Sequence, residues 1–128
     1  MQEPLLSGLR LLIVEDEFLI AMDVEQLCRE HGAAETIVVG TAAELSEHVA
    51  VAAFDAAILD VMVEGQTTLD AARGLAERGI PFVFATGYSD RTEVFSAFPG
   101  VRIVGKPYAG EELVEAVAAV ARGAVAKG

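Results

Sequence analysis

The chain has 128 residues, 53% hydrophobic and 23% charged, a composition that suits one folded domain and excludes a disordered chain. Twenty acidic residues against nine basic ones give a net charge of −11, which repels phosphate backbones and argues against direct nucleic-acid binding. No apolar run approaches the roughly 20 residues of a membrane span, and the single cysteine, Cys28, excludes an internal disulfide.

The first residues, MQEPLLSG, carry no basic region followed by an apolar one, so no secretory signal is expected. Together with the lone cysteine this predicts a reducing, cytoplasmic setting. Residues 1–8 read as a short tail and residues 9–128 as one domain.

Apolar runs of strand length follow at residues 9–14, 36–39, 56–59, 81–85 and 101–104, nearly continuous and rich in Val, Ile and Phe, as in strands buried on both faces. Helical spacing lies between them. Ile20, Val24, Leu27 and Cys28 share a face of a helix that stops near Gly32. Thr41 and Glu44 form a capping box ahead of Leu45, Val49 and Ala52. Leu69, Ala72 and Ala76 mark a third helix ending at Gly79. Val94, Phe95 and Phe98 mark a short fourth, and Leu113, Val117, Val120 and Ala124 a fifth. Strands alternating with helices predict an α/β fold: a doubly wound (βα)5 parallel sheet of strand order 2-1-3-4-5.

Ligands of such sheets gather at the carboxyl ends of the strands. There the chain places Glu15, Asp16 and Glu17 after strand 1, Asp60 after strand 3, Thr86 after strand 4 and Lys106-Pro107 after strand 5. Singly, each reads as a helix cap, a turn or a loop residue. Jointly, they form a site. Glu15, Asp16 and Asp60 offer oxygen ligands to a hard cation, and Mg2+ suits a few carboxylates supplemented by water and phosphate oxygens. A carboxylate can also act as a nucleophile that accepts a phosphoryl group. Asp60, ending the central strand, is the expected acceptor, while Lys106 and the Thr86 hydroxyl neutralise phosphoryl oxygens. A dinucleotide site is excluded, because the first turn carries carboxylates where glycines belong. His31 and His48 read as ordinary helix residues and Cys28 as a small core residue.

The set Glu15-Asp16, Asp60, Thr86 and Lys106-Pro107 resembles the receiver domain of two-component response regulators, which has a flavodoxin-like sheet; the resemblance spans nearly the whole chain. Residues 81–88, PFVFATGY, resemble a subgroup of single-domain receivers with a Phe-Ala-Thr-Gly-Tyr-like fourth strand, associated with alphaproteobacteria. The resemblance implies that Asp60 takes a phosphoryl group from a sensor histidine kinase or histidine phosphotransfer protein, and that the chain signals to a downstream protein, with phosphorylation-dependent dimerisation open. It implies that Asp16 ligates Mg2+ directly, Glu15 through water, and Met62 through its backbone carbonyl. Such a domain is no enzyme beyond its own phosphorylation and dephosphorylation. The chain departs from most receivers at Ile103, where an aromatic residue usually stands, so Thr86, Gly87 and Tyr88 together with the fourth helix are the expected switch, Tyr88 re-aiming a surface shared with Val94, Phe95, Phe98 and Tyr108. The alternatives are a degenerate receiver that binds partners without phosphorylation and a haloacid-dehalogenase-like phosphatase; the latter requires an acid two residues past the nucleophile, where this chain has Met62.

Overall fold

In the computed structural model, which describes residues 5–41, 43–45, 47, 54–63, 65–86, 96, 98, 101–105 and 110–127, the chain runs β1 (Arg10–Val14), α1 (Phe18–Glu30), β2 (Glu35–Val39), β3 (Ala56–Asp60), β4 (Met62–Val63), β5 (Gln66–Thr67), α2 (Leu69–Glu77), β6 (Phe82–Thr86), β7 (Ile103–Gly105) and α3 (Gly110–Lys127). Residues 43–45 and 47 are also helical. Five strands pair in parallel in the order β2-β1-β3-β6-β7. This is the predicted 2-1-3-4-5 order once the separate antiparallel hairpin of β4 and β5 is set aside.

The near-continuous apolar runs arise because both faces of the sheet are covered. Successive side chains alternate between faces. Leu12, Val14, Ala57, Leu59, Phe82 and Phe84 pack with Leu69, Ala72 and Leu75 of α2 and with Leu45. Leu11, Ile13, Ala56, Ile58, Val83 and Ala85 pack on the other face with Val24 and Cys28 of α1 and with Leu113, Val114 and Val117 of α3. Leu6, which was expected in the tail, is fully buried in this second layer, and its N–H donates to the His31 carbonyl at 2.9 Å.

Helix ends follow the glycine signals. After α1, Gly32 adopts φ 96°, its N–H reaches the Arg29 carbonyl at 3.0 Å, and the Ala33 N–H reaches the Cys28 carbonyl at 3.1 Å. After α2, Gly79 adopts φ 75°, with matching bonds from Gly79 to Ala76 at 3.1 Å and from Ile80 to Leu75 at 2.9 Å. Both are Schellman endings, in which a left-handed residue lets the chain satisfy the last carbonyls. The N-cap half of the capping box forms, the Glu44 N–H donating to Thr41 Oγ1 at 3.1 Å, while Glu44 Oε1 reaches back to the Gly40 N–H at 3.4 Å, one residue before the cap.

Two local readings change. The inner face of α2 carries Leu75 rather than Ala76, which is exposed. The last strand starts at Ile103 and ends at Gly105 rather than covering 101–104. The expected fourth helix lies outside the described residues apart from Ser96 and Phe98. Phe98 packs edge-on against Phe82, with ring centroids 5.5 Å apart, and lies 5.7 Å from Phe84. Val49, Ala52 and the side chain of Ala124 also lie outside the described residues.

Candidate functional site

Parallel register brings the strand ends level. Val14 stands opposite Leu59 of β3 and Val39 of β2, Asp60 opposite Ala85, and Thr86 opposite Gly105. Positions 15, 60 and 86 therefore emerge at one end of the sheet, where β7 also ends at Gly105. The ladder extends one residue past β1, since the Glu15 N–H donates to the Val39 carbonyl at 3.0 Å.

At this edge one carboxylate oxygen each from Glu15, Asp16 and Asp60 lie within 4.8 Å of one another. Their environments differ: Glu15 is 4% exposed, Asp60 half-buried and Asp16 exposed. The Glu17 N–H donates to Glu15 Oε1 at 3.1 Å, which holds the buried carboxylate in place. Three negative groups at this spacing repel unless a cation joins them. Opposite ligands of octahedral Mg2+ are about 4.2 Å apart, given Mg–O distances of about 2.1 Å. The cluster is only slightly wider, so direct ligation by some carboxylates and a water bridge to another fits.

Met62 opens β4 opposite Thr67 and exposes part of its side chain. Thr86 ends β6 as expected; its side chain lies outside the described residues, as do Lys106, Pro107, Gly87, Tyr88, Tyr108 and His48. His31 follows the far end of the 13-residue α1, well away from the carboxylates. Cys28 is buried, and burial, with Glu25 adding, pushes its thiol up from 9.0 to about 12. It is a neutral core residue at ordinary pH.

The sequence reading passed over Thr68. A hydroxyl ahead of an apolar periodic run signals a helix start, and Thr68 does precede α2. Its side chain, however, does not cap the helix. It is fully buried, and Oγ1 donates to the Asp60 carbonyl at 2.7 Å, with the Val61 carbonyl at 3.4 Å.

Comparison with known proteins agrees with this arrangement. The chain is 35% identical over 114 residues to the transcriptional regulatory protein PdtaR of Mycobacterium tuberculosis, an alignment that takes in 84% of this chain and 54% of that protein. The chain thus spans about half the length of the curated relatives it matches. Among solved structures, SdrG from Sphingomonas melonis Fr1 is 39% identical with a TM-score of 0.75, covering 88% of this chain and 96% of that one. A response regulator receiver protein from Sinorhizobium medicae WSM419 superposes with a TM-score of 0.83 over 91% of this chain and 97% of its own, and at 23% identity it speaks for the fold alone. The family model for the response regulator receiver domain matches residues 11–118, from within β1 well into α3. With the sheet order, the level strand ends and the acidic cluster all in place, the chain belongs to the response regulator receiver domain family.

Proposed function

We propose that this receiver takes a phosphoryl group from a phosphohistidine onto Asp60 and signals through phosphorylation-dependent protein–protein interaction. The observation that carries the reading is the placement of Asp60 at the end of the central strand, with its carboxylate within 4.8 Å of those of Glu15 and Asp16. Family membership implies a kinase or phosphotransfer partner, and it favours neither the phosphatase nor the degenerate-receiver reading.

In this mechanism an Asp60 carboxylate oxygen attacks phosphorus as the bond to the donor imidazole nitrogen breaks. The acyl phosphate forms on Asp60, and the bond's electron pair leaves with the imidazole. Asp16, Asp60 and the backbone carbonyl of Met62, with Glu15 through water, would hold Mg2+, which would supply the charge that neutralises phosphoryl oxygens when bound. Lys106 supplies a point charge to another phosphoryl oxygen, and the Thr86 hydroxyl donates to a third. We assign the chain to the Phe-Ala-Thr-Gly-Tyr subgroup on residues 84–88, and to the cytoplasm, where histidine-kinase phosphoryl transfer takes place. Among the described residues no helix is long and apolar enough to cross a membrane.

The test is incubation with acetyl phosphate and Mg2+ followed by mass spectrometry. The expected result is a single phosphoryl adduct on Asp60, absent from Asp60→Asn. An adduct on a histidine, or one that survives Asp60→Asn, overturns the assignment.

A further inference from the structure

We propose that Thr68 is a positioning residue for the Asp60 site, its buried hydroxyl holding the main chain at Asp60 and Val61 and thereby setting the aim of the acceptor carboxylate and of the Met62 carbonyl. The inference rests on the phosphoacceptor reading above.

Three interactions close the base of the segment from Asp60 to α2. Thr68 Oγ1 donates to the Asp60 carbonyl at 2.7 Å and approaches the Val61 carbonyl at 3.4 Å, and the Thr68 N–H donates to the Val61 carbonyl at 2.9 Å. Between these anchors the chain turns back on itself through the β4–β5 pairing, Met62 opposite Thr67 and Val63 opposite Gln66, with Gly65 at φ 77°. Thr68 is in turn held by the helix it precedes, since its carbonyl accepts the Ala72 N–H at 2.9 Å. Its side chain is fully buried beside Val61, also fully buried.

The consequence is geometric. A carbonyl fixed by a 2.7 Å bond fixes the plane of the Asp60–Val61 peptide. That plane sets both the direction in which Asp60 leaves the sheet and the start of the turn that carries Met62. A hydroxyl with no water to compete for it keeps this setting constant. The Thr68 hydroxyl reaches the main-chain carbonyls of Asp60 and Val61, so it acts through the main chain of its neighbours. Metal sites depend on such supporting bonds, whose loss typically lowers affinity by about 10–100-fold.

The discriminating pair is Thr68→Val, which keeps the shape and loses the donor, and Thr68→Ser, which keeps the donor. Mg2+ affinity is measured by calorimetry on the unphosphorylated protein, and labelling of Asp60 by acetyl phosphate is followed by mass spectrometry. Thr68→Val is expected to weaken Mg2+ binding and slow labelling by about tenfold, with Thr68→Ser within about twofold of the parent. If Thr68→Val does not fold, Thr68→Ala takes its place in the comparison. A donor-less variant that is less stable but binds Mg2+ and labels like the parent overturns the inference and leaves Thr68 a structural residue. A parent that is never labelled on Asp60 but whose Mg2+ affinity still falls with Thr68→Val and recovers with Thr68→Ser overturns the phosphoacceptor reading alone. The inference itself then stands on the metal measurement.

Discussion

Glu15 Oε1 accepts the backbone N–H of Glu17 at 3.1 Å from a position only 4% exposed. Glu17 is the N-cap of α1, and its own side chain makes no capping bond. The buried carboxylate therefore helps start the helix as well as belonging to the acidic cluster. Glu15→Ala should lose about 0.5–1.5 kcal/mol in urea denaturation, because the part-buried N–H at the helix start loses this acceptor. Glu15→Gln keeps an acceptor oxygen and should lose less; equal losses for the two would mean that this hydrogen bond contributes nothing.

Asp16 is the exposed member of the cluster, so its removal disturbs little packing. Without metal, Asp16→Asn should melt at or above the parent temperature, because one of three crowded negative charges is gone. With saturating Mg2+ the order should reverse, since a ligand at 100 times its Kd stabilises by about 2.7 kcal/mol and the variant forfeits part of this. Thermal melts with and without Mg2+ decide it. An unchanged Mg2+ response in Asp16→Asn would reduce the acidic run to a helix start.

Cys28 links burial to pH. Burial, with Glu25 adding, raises its thiol to about 12 from 9.0, so the folded state holds this proton more tightly than the unfolded chain does. The associated stability is fully present below about pH 9 and is lost as pH rises towards 12. Cys28→Ala should flatten the alkaline fall in stability between those limits, at the cost of some packing at neutral pH. The native thiol should also resist alkylation at pH 8 and react readily in urea. Rapid native alkylation would contradict its burial.

The legible parts of this molecule were those with a periodic or terminal signal. Runs buried on both faces announced the strands, and Gly32 and Gly79 announced helix ends because only a left-handed residue closes a Schellman motif cheaply. Glu15, Asp16 and Asp60 were legible as a cluster because strand order alone brings the ends of β1 and β3 side by side. The face of α2 was misjudged by one position because Ala72 and Ala76 carry little hydrophobic contrast, and Leu75 supplies the buried bulk. The β4–β5 hairpin is too short to show an alternation. Thr68 escaped because a hydroxyl that caps a helix and one that holds the preceding strand look identical in sequence; only tertiary structure shows which carbonyl it meets.

If Asp60 accepts a phosphoryl group as proposed, the change has to be read out elsewhere in the domain. Ile103 stands opposite Phe84 in the β6–β7 register and packs, partly buried, against the same core layer as Phe98. It has no polar tip, so it cannot alternate between a buried and a hydrogen-bonded outward rotamer, and another element must carry the two states. The Phe82–Phe84–Phe98 cluster ties the chain that follows β6 to the strand ending in Thr86. A shift of Thr86 towards a phosphoryl group is therefore expected to be passed along β6 to Phe98. Hydrogen exchange with and without beryllofluoride, a phosphoryl mimic, measures the response in residues 87–100. Ile103→Val should retain it, at a stability cost of about 0.5–1.5 kcal/mol. Thr86→Ala should bind the mimic yet lose most of the response, and Phe98→Leu should weaken it by loosening the aromatic contact. If Ile103→Val abolishes the response while Thr86→Ala and Phe98→Leu retain it, the signal leaves the site through β7 rather than through β6.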